Sequence, residues 1–127
     1  MTSIRVLVAN TVNARNECVP GGTVAQDQQC MQARINLAIS LGNQAFARSG
    51  ALIKFVRVGG QNEVTYADTQ VYGMNTSNNY IGVLCDLTNL PNCFETGNNQ
   101  TAKFAAVRTK REDVDADLVI LMRKAAS

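Results

Sequence analysis

Four cysteines and no histidine set the chemical options of this chain. The cysteines form two close pairs, Cys18 with Cys30 and Cys85 with Cys93, each spanning a short loop rich in polar and turn-forming residues. That spacing predicts the disulfides Cys18–Cys30 and Cys85–Cys93, the first tying an entry loop to the start of a long helix. Two alternatives stand beside this pairing, a zinc site and free thiols. CxxC spacing is absent and imidazole is lacking, which argues against zinc. Disulfides would imply an extracytoplasmic compartment.

Other chemistry finds little support. Cys and Ser are present as nucleophiles, but without His the usual general base is missing. Asp113, Asp115 and Asp117 alternate in a way that can ligate Ca²⁺, yet the Gly and the later Glu of an EF-hand loop are absent. A solvated turn entering a strand accounts for them. Asp86, Glu95 and nearby Asn residues are a second, irregular acidic set. Gly21-Gly22 precedes a helix start, a geometry that suits anions, but no GxxxxGK[ST] accompanies it. Helix entry explains these glycines more simply. Lys110, Arg111, Arg123 and Lys124 are the basic clusters, and no aromatics interleave them, so nucleic-acid binding is not indicated.

The elements that would position these residues are organised around residues 23–50, the longest helical pattern in the chain. Met31, Ile35, Ala38, Ile39, Gly42, Ala45 and Phe46 recur at three- and four-residue steps and define one face. Gln28, Gln32, Arg34, Asn36, Asn43 and Arg48 fall mostly on the other. Thr23 followed by Gln26 predicts a capping box, and Ser49-Gly50 a left-handed stop. Residues 4–9 (IRVLVA) read as a central parallel strand with apolar groups on both faces. Residues 10–22 read as a loop. Residues 52–58 (LIKFVRV) read as a strand nearer an edge, because Lys54 and Arg57 interrupt it. Residues 64–66 are a short extended piece.

Residues 73–97 are dominated by Asn, Thr, Ser and Gly, which is loop chemistry. Within them residues 81–84 suggest a short strand and residues 86–90 a helical turn. Residues 101–113 predict a second helix with Phe104, Val107 and Arg111 on one stripe. Residues 116–122 (ADLVILM) predict a third strand whose unbroken apolar run implies burial on both faces. The order β, long α, β, irregular segment, α, β gives an α/β fold with a mostly parallel β-sheet and a long crossover helix.

The bulk properties agree with one globular domain. The chain has 127 residues, 46% hydrophobic and 17% charged, with a net charge of +2. That charge is too small to argue for nucleic acid or an anionic membrane. No stretch reaches the roughly 20 apolar residues a membrane span needs.

Three phrases carry a family resemblance: IRVLVANTVNAR, then INLAISLGNQAFARSGALIKFVRVG, then REDVDADLVILM. Together they resemble the start of a bacterial reprolysin-like, metzincin-type zinc metallopeptidase domain. In such domains a first strand leads to a helix ending in an Asn-Gln-Ala-aromatic-Ala-x-Ser-Gly phrase, here residues 43–50. A second strand follows, then an Arg, a short spacer and Ala-Asp-Leu-Val, here Arg111 and residues 116–119. The resemblance covers most of the chain except residues 74–100. The family's HExxHxxGxxH zinc helix has no counterpart, since no His is present. No zinc ligand or catalytic Glu can be carried over.

The resemblance implies a single truncated or degenerate metzincin-like domain over residues 1–127, from a secreted protein with its signal peptide removed. Such a chain is a non-catalytic portion or relative of a peptidase and holds no cofactor, zinc belonging to full-length relatives. The alternative is a stand-alone extracytoplasmic binding module or subunit that uses the Asn-rich loop 74–100. Either way an unfinished sheet edge is expected, available for self-association or a protein partner.

Overall fold

The computed structural model describes residues 1–66, 81–89 and 101–124. Strand β1 (Thr2–Thr11) leads into a short helix, α1 (Val12–Asn16), and then into the long helix α2 (Val24–Ser49). Strands β2 (Ile53–Val58) and β3 (Glu63–Val64) follow. Helix α3 (Ile81–Thr88), a 3-10 turn (Thr101–Phe104), helix α4 (Ala105–Asp113) and strand β4 (Leu118–Met122) complete the described elements. The fold is mixed α/β, and every described strand pairing is parallel.

Strand β1 is central. One edge pairs with β2, Ile4 opposite Phe55 and Leu7 opposite Val58. The other pairs with β4, Val6 opposite Leu118 and Asn10 opposite Met122. Asn10 also faces Glu63, so β3 lies on the β2 edge. Along that edge residues 59–62 sit opposite residues 8–9 of β1, which is a bulge. Gly59 makes it, with φ +84, and a Cβ there would stand 2.5 Å from the Leu7 Cδ1 atom.

Alternation along β1 divides the core in two. Val6 and Val8 face α2 and pack with Ala14, Met31 and Ile35. Leu7 and Ala9 face the other helices and pack with Val64, Tyr66, Val83, Leu87, Phe104 and Val107. Helix α2 starts at the expected capping box: the Thr23 hydroxyl accepts from the Gln26 N–H, and the Gln26 side chain accepts from the Thr23 N–H. It stops at Gly50, left-handed at φ 78. Its buried face is narrower than its periodicity suggests. Ile35 is buried and Ile39 half-buried, but Ala38 and Ala45 are exposed, because α2 packs chiefly over β1 and β2.

Four local expectations change. The stretch 10–22 is not all loop, since Thr11 caps α1 by accepting from the Ala14 N–H at 3.1 Å. The short strand expected over residues 81–84 is the first half of α3. Its apolar residues recur at helical spacing, with Val83 and Leu87 both buried. Strand β4 is not buried on both faces. Leu118 is 45% and Ile120 38% exposed, because both project on the α2 face while α2 stays on the β2 side. An unbroken apolar run therefore marks an uncovered edge strand here. The extended piece of residues 64–66 is shorter, with Glu63–Val64 paired. Most of loop 74–100 lies outside the described residues, α3 and Asn89 excepted.

Candidate functional site

The predicted entry-loop disulfide is formed: Cys18 and Cys30 are joined, with their Cα atoms 5.9 Å apart. The loop it closes is held by two further bonds. The Val19 N–H donates to the buried Asp27 carboxylate at 2.9 Å, and Arg34 donates to the Cys18 carbonyl at 3.4 Å. Gly22 packs against Val19, and the capping box occupies the Thr23 and Gln26 N–H groups, so the Gly21-Gly22 turn serves helix entry. Cys85 sits on α3, and Cys93 lies outside the described residues, so the second pair has no geometry to report.

At the carboxyl ends of the strands the apolar core gives way to polar groups. In open parallel α/β sheets this is the end where ligands bind. Asn10 and Thr11 are fully buried there, and Asn10 Nδ2 donates to the Thr11 carbonyl at 3.1 Å. Arg15 from α1 meets Glu63 from β3 at 2.7 Å, largely out of solvent. On the opposite face the Tyr66 hydroxyl donates to the buried Asp86 carboxylate at 2.7 Å. Arg108 spans the same region, donating to the Asp86 and Thr101 carbonyls at 3.0 and 2.9 Å. Each described charge at this end faces an opposite charge or a hydrogen-bond partner. The arrangement fastens helices to the sheet end.

The zinc implied by the family resemblance does not fit the residues present. The chain has no imidazole. Cys18 and Cys30 are spent in the disulfide. Among the described residues no three Cys, Asp or Glu side chains converge as a metal site would require. The Asp113, Asp115 and Asp117 series is an intramolecular joint. Asp117 accepts from the Arg5 N–H at 2.8 Å, and the Arg5 guanidinium donates to the Val114 and Asp115 carbonyls. Asp115 itself turns the chain at φ 50. Of the irregular set, Asp86 is bound to Tyr66, and Glu95 lies outside the described residues.

The two sheet edges differ, and this is the most distinctive feature of the surface. The β2 edge is closed by a side chain. Asn43 of α2 accepts from the Phe55 N–H at 2.7 Å and donates to the Phe55 carbonyl at 3.0 Å. One amide thus satisfies both backbone groups that a neighbouring strand would take. Arg57 on the same strand donates to Asn36 at 2.8 Å, to Gln32 and to the Gly60 carbonyl. Desolvation holds its guanidinium below the ordinary arginine pKa. Gln32, assigned by periodicity to the wet face, is therefore half-buried and bonded. The β4 edge has no such closure among the described residues. Among the described residues strand β4 pairs with β1 alone, and its five residues carry no charge, Pro or Gly. A groove runs beside it under α3, in two compartments of about 320 and 190 Å³ that share Leu84, Leu87 and Val119.

Replacing Asn43 tests the closure of the β2 edge. Asn43→Ala leaves one N–H and one C=O unpaired at a half-buried position and is expected to destabilise by about 1–3 kcal/mol. Urea titration followed by circular dichroism measures it. A midpoint equal to the wild type would mean that water replaces the amide at no cost.

Sequence reasoning singled out Asn43 and the four cysteines but missed Arg5, Arg15, Arg57 and Glu63. Their partners are distant in sequence, and no local pattern announces them. Among the described residues no helix is long and apolar enough to cross a membrane. Compared with known family models, curated proteins and solved structures, the chain matches none.

Proposed function

We propose that this chain is the non-catalytic N-terminal layer, or a degenerate relative, of a secreted metzincin-type peptidase domain, and that it acts by binding protein through its open sheet edge. The observation that carries the reading is the asymmetry of the edges. Asn43 closes β2, while β4 presents an uncharged strand with Leu118 and Ile120 in solvent. Natural sheets seldom leave such an edge bare, because its unpaired N–H and C=O groups template further pairing. Strand addition supplies main-chain hydrogen bonds, and the pockets beside the strand select side chains.

Two of the phrases that carry the resemblance contribute bonds to the fold. Asn43 opens residues 43–50 and bonds β2. Arg111 and Ala116 bond each other, the Arg111 Nε donating to the Ala116 carbonyl at 3.3 Å and the Ala116 N–H to the Arg111 carbonyl at 3.0 Å. The Cys18–Cys30 disulfide supports an extracytoplasmic location.

The test is elemental analysis of protein purified without chelator, beside a fluorogenic-peptide assay with and without added zinc. The expected result is no stoichiometric zinc and no cleavage. One tightly held equivalent of zinc, or chelator-sensitive cleavage that co-purifies with the chain, would overturn the non-catalytic reading.

A further inference from the structure

We infer that the open edge is self-complementary and that its occupant is a second copy of this chain, the two β4 strands pairing antiparallel with Ile120 on the two-fold axis. The inference rests on the open-edge part of the reading above and names the partner. Its first ground is the order of residues around Ile120. Asp117 precedes β4 and Arg123 follows it. Folding the strand back on a copy of itself about Ile120 sets Leu118 opposite Met122 and Val119 opposite Leu121. It also sets Asp117 opposite Arg123. Apolar residues meet apolar residues along the paired strands. A parallel in-register pair would instead stack Asp117 on Asp117 and Arg123 on Arg123.

The second ground is the shape of the uncovered face. A two-fold axis through Ile120, perpendicular to the sheet, keeps both copies of α2 on the same side. Leu118, Ile120 and Met122 of each copy project on that side, as Val6, Val8 and Asn10 do. They become one apolar floor between two helices. On α2 the flank over β2 is taken by Gln32, Asn36 and Asn43, which bond to Arg57 and Phe55. Leu41 is not on that flank, and it is exposed. Two copies thus gather Leu118 and Ile120 of each chain into one interface. On the far face Val119 and Leu121 of the second copy approach the groove under Leu84 and Leu87.

The third ground is that, among the described residues, the β2 edge is occupied and the β4 edge is not. On β2 the outward N–H and C=O of Phe55 are already bonded to Asn43, and Lys54 stands exposed beside them. Pairing through β2 would break two hydrogen bonds and place Lys54 near its own copy. A β4 pairing breaks none of the described bonds and, being two-fold, uses the β4 edge of both copies at once.

The experiment is sedimentation equilibrium of the full chain across the micromolar range, in oxidising buffer, with two variants. The wild type is expected to sediment as a dimer. Ile120→Lys places two like charges at the axis and is expected to sediment as a monomer with an unchanged circular dichroism spectrum. Ile120→Cys brings two thiols together across the axis and is expected to give a covalent dimer on non-reducing gels. Val24→Cys, at a more exposed position at the start of α2, is expected to stay single-chain. A monomeric wild type, or a dimer that survives Ile120→Lys and fails to crosslink in Ile120→Cys, would overturn the proposal. The zinc and cleavage assays fail independently, since neither depends on the number of chains.

Discussion

Phe104→Ala is expected to destabilise the chain by about 3–5 kcal/mol, a large part of the roughly 5–15 kcal/mol that holds a typical domain folded. Phe104 is fully buried and heads the group of largest buried side chains. It joins the 3-10 turn to α4, and its ring lies 4.9 Å from that of Tyr66 at an angle of 49°. The ring also packs in one cluster with Leu7 and Ala9 of β1, Leu87 of α3 and Val107 of α4. Truncation removes the transfer energy of the ring and leaves a cavity where sheet and helices meet, which several rigid elements cannot collapse to fill. Phe104 makes no side-chain cap for α4, so the loss is one of packing alone. Guanidinium titration at constant m-value is the measurement. A midpoint within error of the wild type would show that the face of β1 away from α2 is not a close-packed core.

The second large effect is expected from the entry loop. Replacing both Cys18 and Cys30 by Ser is expected to cost about 2–3 kcal/mol, because the unfolded chain regains the freedom of the closed loop. The native loop is expected to persist in the variant, since the Val19 bond to Asp27 and the Arg34 bond to the residue 18 carbonyl do not involve sulfur. Circular dichroism should therefore stay unchanged while the unfolding midpoint falls. An unchanged midpoint would mean that Asp27 and the capping box already restrain the loop as fully as the disulfide does. The loop lies by α2, on the opposite side of the sheet from Phe104, so the two losses are expected to add within about 0.5 kcal/mol. Together they would bring a domain of ordinary stability close to unfolding at room temperature.

What the sequence by itself determined was local. The capping box at Thr23 and Gln26, the stop at Gly50 and the core position of Ile35 follow from chemistry within one or two turns of α2. The central place of β1 follows from apolar residues at successive positions, which a strand covered on both sides accommodates. The first disulfide follows from spacing, and the edge position of β2 from Lys54 and Arg57. The same rule misread β4, whose composition matches a buried central strand. Composition reports how much apolar surface a strand carries, and only the placement of α2 over β1 and β2 decided that Leu118 and Ile120 would stay in solvent. The residues of α3 were divided between strand and turn, because eight residues between irregular neighbours show too little periodicity to choose.

Only the tertiary structure decided the roles of the polar side chains. Asn43 joins Phe55, Arg5 joins the turn before β4, Arg15 joins Glu63, and Tyr66 joins Asp86. In each pair the partners come from different elements, so the hydrogen bond exists only after the chain has folded. Short-range pattern is written by backbone propensity and burial period, which act within a few residues. Pairing between buried polar groups is set by where whole elements land. That difference in range explains why the α/β layer could be read from the residues alone. It also explains why the asymmetry between a closed β2 edge and an open β4 edge could not.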